Sequence, residues 1–289
     1  MAEDDKTLNL DPKTAAVFKK KNYVVEKKLN EGAFGQVFKG RNVQTGELVA
    51  IKVMFIDKLG DKYNTRFWPR ELAALQEVKH EHVIAVHDII RADNKYFIFL
   101  EFANGGDITG WLKKNNGPMA ESLACYWFTQ VSRALQYMHD EHKMAHRDIK
   151  IDNVLLHNNR AKLTDFGFAR NAYDLDRHAA ILSGTFCGTQ PYYSPQLVQR
   201  RRYNPFAADC WAMGVMLFAM LNNKFPFHFD NDKTMLAEQL NPDHLATRYV
   251  KKFPADLRDL QEKFFIVEEK NRITMAQVLE HPWILRKGK

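Results

Sequence analysis

The octapeptide HRDIKIDN, His146 to Asn153, places a carboxylate at Asp148, an ammonium two residues on at Lys150 and a carboxamide five residues on at Asn153. A second carboxylate, Asp165, follows Asn153 by twelve residues in DFG, Asp165 to Gly167. Such a mixture suits a reaction whose difficulty is charge and alignment. One carboxylate can accept a proton, the ammonium can neutralise an anion, and an amide oxygen with a second carboxylate can hold a hard cation. Upstream, LNEGAFGQVFKG, Leu29 to Gly40, sets Gly32 and Gly35 between two apolar strand-like runs. Glycines there let backbone N–H groups approach phosphate oxygens, although a glycine-rich hairpin taken alone is as readily a plain turn. VAIK, Val49 to Lys52, then buries a lysine in an apolar strand, twenty residues after Gly32. A buried ammonium is costly unless paired, and Glu71 on the following helical run is a suitable partner that would hold Lys52 against phosphates.

The elements that must position these groups change character along the chain. From Tyr23 to about Glu101 the runs VFKG, LVAIKVMFI and KYFIFLEF are β-branched and aromatic, bounded by Gly, Asn and Asp, and read as strands. One helix interrupts them: PRELAALQEV opens with Pro69 in its first turn and spaces Leu72, Leu75 and Val78 at helical intervals. After ANGGD, Ala103 to Asp107, helices dominate, including ESLACYWFTQVSRALQYMHDEH, with short strands only around 154–156 and 162–163. The class is α+β, with a boundary near residues 101 to 106. No repeat or low-complexity segment is present.

Composition narrows the function classes. A chain of 289 residues with 45% hydrophobic content can bury two cores. The first residues, MAEDDKTLNLDPK, lack the apolar run of a secretory signal, and the longest apolar run, Trp211 to Leu221, is well short of a bilayer span and reads as a buried helix. Cys125, Cys187 and Cys210 form no metal-ligand or disulfide pattern and suit a reducing compartment, so a cytoplasmic placement, with nuclear entry compatible, is expected. The net charge of +7 and the run QRRRY, Gln199 to Tyr203, come without a nucleic-acid-binding motif and read as a solvated basic face. The expectation is a monomer binding neither nucleic acid nor membrane.

Taken in order, the glycine-rich hairpin, VAIK, HRDIKIDN and DFG resemble the eukaryotic protein kinases, from about Tyr23 to Trp283. The resemblance implies a bilobal fold: a small antiparallel-sheet lobe with one helix (about 23–101), a hinge (about 101–106) and a larger, mainly helical lobe (about 107–283), flanked by an N-terminal extension (1–22) and a short tail (284–289). It also implies ATP and Mg2+. Asp148 would position the acceptor hydroxyl and take its proton, Lys150 would neutralise the transferring group, and Asn153 and Asp165 would hold magnesium. Lys52 and Glu71 would orient the phosphates. The hairpin residues Leu29, Asn30, Glu31, Gly32, Ala33, Phe34, Gly35, Gln36 and Val37 would cover the nucleotide. Val37, Ala50 and Leu155 would sandwich adenine, the Glu101 to Ala103 backbone would bond its edge, Asp107 would meet the ribose, and Leu100 is the gatekeeper. Leu75, Val86, His146 and Phe166 would stack as an internal spine, which makes His146 structural rather than an acid or base.

Lys150 in DIK and Thr189 in CGT imply serine or threonine as acceptor, Thr189 contacting the catalytic Asp and Lys. RFWPREL, MAHRDIKIDNVLL, KLTDFGFAR and TFCGT most resemble the testis-specific serine kinases, as do Phe168 after DFG and the few residues after Trp283, so no inhibitory tail is expected. Three positions depart from the family pattern. Asn30 replaces the first glycine of the loop and is expected to tolerate positive φ there. Gln196 replaces the glutamate that usually pairs with Arg272. Pro191 stiffens the peptide-binding segment, and together with Ala219 it leaves Asp152 as the remaining acidic residue placed to read a basic substrate. Thr185, twenty residues after Asp165, matches the threonine phosphorylated in many relatives, by an activating kinase or by the protein itself. Its phosphate would pair with Arg147, and Ser183 is the alternative acceptor. The competing reading is a pseudokinase, a module that binds ATP or partners without turnover. It is disfavoured because Lys52, Asp148, Asn153 and Asp165 are all intact.

Overall fold

The computed structural model describes residues 10–32, 35–59 and 68–287. Chain contacts divide it into two compact units, one formed by 1–69 with 84–103 and the other by 70–83 with 104–289.

The first unit is built on a five-stranded antiparallel sheet, β1 (Tyr23–Gly32), β2 (Gly35–Asn42), β3 (Leu48–Phe55), β4 (Val86–Ala92) and β5 (Lys95–Glu101), in the order β1-β2-β3-β5-β4. Two helices go beyond the sequence reading: α1 (Pro12–Lys20) before the first strand, and the four-residue α2 (Ile56–Leu59) after β3. Asp11 caps α1 by accepting the Thr14 N–H at 3.0 Å, and Pro12 sits where a missing N–H costs nothing. The helix drives Phe18 into a cluster with Phe38, Val49, Ile51, Val53, Phe97 and Phe99. Phe18 meets Phe38 and Phe97 edge-on at ring-centroid distances of 6.1 and 5.8 Å. Lys95 reaches back to Asp11 at 2.6 Å, and although burial alone would raise it, Lys95 and Thr14 hold that carboxyl down at about 2.

α3 (Trp68–Glu77) is the helix foreseen between β3 and β4. In the second unit α4 (Ile108–Asn115) and α5 (Glu121–Asp140) precede short strand pairs: β6 (Met144–Ala145) with β9 (Arg170–Asn171), β7 (Val154–His157) with β8 (Arg160–Leu163), and β10 (Tyr173–Asp174) with β11 (Ala179–Ala180). Then come α6 (Pro195–Val198), α7 (Pro205–Asn222), α8 (Asp232–Leu240), α9 (His244–Arg248), α10 (Ala255–Phe264), α11 (Met275–Leu279) and α12 (Pro282–Lys287). α7 is long and apolar enough to cross a membrane by length and composition, but it is the buried centre of this unit. Asn204 caps its start and Asn223, at φ 51°, ends it. One carboxylate, Asp209, lies in this apolar helix at 1% exposure and must be paired there.

Candidate active site

Each side-chain group of the opening octapeptide has a fixed neighbour in the second unit. Asp148 Oδ1 accepts the Thr189 hydroxyl at 2.7 Å, and its Oδ2 lies 2.8 Å from Lys150 Nζ. Lys150 also donates to Thr189 Oγ1 at 2.9 Å, closing a three-membered ring of contacts. Asn153 donates its amide to the Asp148 carbonyl at 2.8 Å and to Oδ2 at 3.1 Å. Asp148 is thereby clamped from both sides at 5% exposure. Asn153 spends its NH2 on Asp148, so its amide oxygen is the atom it can offer a cation. Its backbone carbonyl accepts the Thr164 N–H at 3.0 Å, which ties it one residue from Asp165. A carboxamide oxygen and a carboxylate are the hard donors Mg2+ takes, so these two residues fit the ion the family implies.

The backbone that carries this ring is itself held by Asp209. Its carboxylate accepts the His146 N–H at 2.8 Å, the Arg147 N–H at 2.7 Å and His139 Nε2 at 2.9 Å. Arg147 and Asp165 both take left-handed backbone, at φ 67° and 65°, an expensive conformation that persists only where surroundings enforce it. Gly188, at φ 102°, explains one glycine: a Cβ there would stand 2.8 Å from the Arg147 carbonyl. His146 is fully buried, receives the Asp148 N–H on Nδ1 at 3.3 Å, lies 3.1 Å from the Thr164 carbonyl through Nε2 and packs on Phe166 at 5.4 Å. Those contacts are structural.

The other predicted residues occupy regular elements. In the first unit Glu31 faces Gln36 and Gly32 faces Gly35 across the β1–β2 hairpin, and Glu31 pairs with Lys28. Ala33 and Phe34 lie outside the described residues. Gly35 is dictated by packing, since a Cβ would stand 2.0 Å from the Val53 carbonyl. Leu29 is 42% exposed, at a hairpin end turned to solvent. Asn30 corrects the expectation made for it: its backbone stays extended, beside a register shift at Lys28 and Asn30, and its side chain accepts the Glu31 N–H at 2.8 Å. The strand absorbs the missing glycine through a bulge, not through positive φ. Lys52 stands opposite Val37 and Ile98 in β3, Ala50 opposite Lys39 and Leu100, and Glu101 opposite Val49; Ala103 follows two residues after Glu101. Glu71 falls on α3, but its side chain is outside the described ones. In the second unit Asp107 caps α4 through Gly110 N–H at 2.7 Å, and Leu155 lies in β7.

One further expectation is corrected, at Ser183. Arg272, meanwhile, keeps partners although Gln196 replaces the usual glutamate. At 4% exposure it donates to the carbonyls of Ile266, Ala207 and Val267 at 2.9, 2.8 and 3.0 Å, lies 3.4 Å from Gln196 Oε1 and stacks over Trp211. Burial still pulls its pKa down to about 10, outweighing the opposing pull of Glu269 and Glu268. Ser183 is not an accessible acceptor: it is 1% exposed, and its hydroxyl receives the Thr185 N–H at 3.2 Å, whereas Thr185 is partly exposed. Pro191 sits in the first turn of a 3-10 helix, Gln190–Tyr192, where the helix itself needs no N–H from it. Asp209 was absent from the sequence reading, and the signal available was a lone acid inside an apolar run.

The model of the protein kinase domain matches residues 23–284 of this chain. The chain belongs to the protein kinase family. The human testis-specific serine/threonine-protein kinase 3 is 35% identical over 269 residues, covering 91% of this chain and 96% of the relative. The human testis-specific serine/threonine-protein kinase 4 is 30% identical over 281 residues, 91% and 83%. A rice CBL-interacting protein kinase 11 is 32% identical over 262 residues, 90% of this chain but 51% of its own length, so the chain spans about half of that relative. Within the family this chain is an ATP-dependent serine/threonine protein kinase. The likeness to testis-specific kinases that the motifs suggested therefore extends over nearly the whole chain.

Proposed function

We propose that this kinase transfers the γ-phosphoryl group of ATP to Ser or Thr hydroxyls of protein substrates through the Asp148 ring. The contact set joining Asp148, Lys150, Thr189 and Asn153 carries the reading. Asp148 accepts the hydroxyl proton at the carboxylate. Lys150, held between Asp148 and Thr189, neutralises charge on the transferring group, and Thr189 keeps both aligned. Asn153 and Asp165 would hold Mg2+, which when bound neutralises phosphate oxygens. Lys52 with Glu71 orients the phosphates, and Val37, Ala50, Leu155, Asp107 and the Glu101 to Ala103 backbone receive the nucleoside.

Partners and setting belong to the same reading. Asp152, which accepts the Thr109 hydroxyl at 3.0 Å, is the acidic group offered to basic substrate residues. Thr185 is the regulatory phosphosite, modified by an upstream kinase or by the protein itself, and its phosphate pairs with Arg147. The protein acts as a cytoplasmic monomer of the testis-specific kinase branch; its free cysteines, Cys125 and Cys210 buried and Cys187 half-buried, suit a reducing compartment. Transfer of label from γ-labelled ATP to a basic protein substrate, compared between the natural protein and Lys52→Met, tests the core of this reading. Incorporation by the first and not the second is expected. Equal incorporation, or none by either, would sink it and favour a binding module. Mass spectrometry of active protein should find phosphate on Thr185, and Thr185→Ala should lower activity.

A further inference from the structure

Tyr203, between α6 and α7, closes the run read as a solvated basic face and belongs to none of the catalytic or binding sets assigned above, yet it is 1% exposed and polar at its tip. Its hydroxyl donates to the Thr185 carbonyl at 3.0 Å. Its backbone pairs with Ser183 in both directions, at 2.8 and 3.1 Å, as an isolated antiparallel bridge. The Ser183 hydroxyl and the Arg147 guanidinium both face the phenol oxygen. Arg147 itself donates from Nε to the Phe168 carbonyl at 2.7 Å and lies 3.5 Å from Ser183 Oγ through Nη1. A chain of polar groups thus runs from the residue before Asp148, through Ser183 and Tyr203, to both backbone groups of Thr185.

These contacts settle a problem of charge. Arg147 is 7% exposed, and among the described residues its guanidinium bonds neutral oxygens only. A buried cation needs acceptors, and where no anion is supplied neutral oxygens in good geometry take that role. Burial pushes the Tyr203 phenol up to about 12, so it remains a neutral donor across the working range of pH. The ring packs with Leu197 and Ala208, and that packing would survive loss of the hydroxyl.

We propose that the Tyr203 hydroxyl is a positioning group that holds the Thr185 segment against Arg147 when Thr185 carries no phosphate, giving the unmodified kinase a basal activity. The inference rests on the reading of Thr185 as the regulatory phosphosite and adds the device that stands in for the phosphate. Where phosphate is present, its bonds to Arg147 make the hydroxyl redundant. Tyr203 does not touch reacting atoms; it acts through Arg147 and the segment that carries Thr189.

The test uses the full chain in four forms: natural and phosphorylated on Thr185, Thr185→Ala, Tyr203→Phe, and both substitutions together, each assayed for kcat and for KM of ATP. In the Thr185→Ala background, Tyr203→Phe is expected to lower kcat about tenfold, the worth of one buried hydrogen bond, with KM for ATP unchanged. In phosphorylated protein the loss is expected to be about twofold or less. A loss of equal factor in both backgrounds, no loss in Thr185→Ala, or no basal activity in Thr185→Ala each overturns the proposal. Ser183→Ala removes the neighbouring hydroxyl and should repeat the background dependence; additive behaviour there counts against it. If mass spectrometry finds Thr185 unmodified in active protein, the phosphosite reading fails by itself. The Tyr203 proposal is then decided by kcat of Tyr203→Phe alone, a tenfold loss supporting it and an unchanged value overturning it.

Discussion

The two units carry their candidate groups in opposite ways. In the first, the residues expected to meet nucleotide lie on extended strands, several at an exposed hairpin end, and are fixed mainly by ladder register. In the second, Asp148, Asn153 and Arg147 are buried, side chain is tied to side chain, and the backbone is held in left-handed conformations at Arg147 and Asp165. A surface that must admit and release a flexible polyphosphate benefits from backbone that can yield. A site that moves a proton must hold its groups to a fraction of an ångström, and needs more bonds than the minimum.

The contrast can be broken most sharply at Asp148. Asp148→Asn keeps the volume but removes the proton acceptor and the anion facing Lys150, and kcat at saturating ATP should fall ~10²- to 10⁴-fold while the fold persists. Retention of more than a tenth of kcat would show that the buried ring is scaffolding. In the first unit the comparable loss is of packing. Phe18→Ala should destabilise by about 3–5 kcal/mol, read by denaturant unfolding, because it vacates the cluster beneath α1. An unchanged midpoint would mean α1 adds nothing to the sheet.

Smaller effects sharpen the picture of the second unit. Gln196→Glu gives Arg272 a carboxylate, but it removes the bond from Gln196 Nε2 to the Val267 carbonyl, 2.8 Å in length. The gains and losses nearly offset, so a rise in melting midpoint of about 1–2 °C is expected, and a fall would mean the lost amide bond dominates. The smallest effect concerns His80 and His82, whose pKa values burial lowers. The unfolded chain therefore takes up protons first as pH falls below the ordinary histidine value, and stability drops through that window until the folded protein also protonates. Melting between pH 7 and 5.5 should slope less steeply for His82→Gln than for the natural protein; equal slopes would remove this contribution.

Much of the site was legible because its chemistry sits in short runs. Asp148, Lys150 and Asn153 need only the octapeptide to be recognised, and the glycine hairpin, VAIK and DFG declare themselves by composition and order. The groups that hold those runs were not legible, because they come from far along the chain. Asp209 reaches His146 and Arg147 across 63 and 62 residues. Arg272 finds carbonyls at Ile266, Ala207 and Val267, and any residue type supplies a carbonyl, so no sequence signal marks them. Asn30 misled for a related reason: its type permits positive φ, but strand pairing decided the backbone. The α1 signals, Asp11 and Pro12 ahead of TAAVF, were present in the sequence but lay outside the motif set.

The position of α1 has a consequence for how the chain is made. Nine residues are too few for a stable helix alone, and what holds α1 is contact with Phe38 and Phe97 and the bond from Lys95 to Asp11 across 84 residues. During synthesis α1 leaves the ribosome before the sheet that seats it, and that seat does not exist until β5 has emerged and paired with β3. This helix must wait unfolded while roughly eighty residues follow it, and its docking marks the moment at which the first unit is complete.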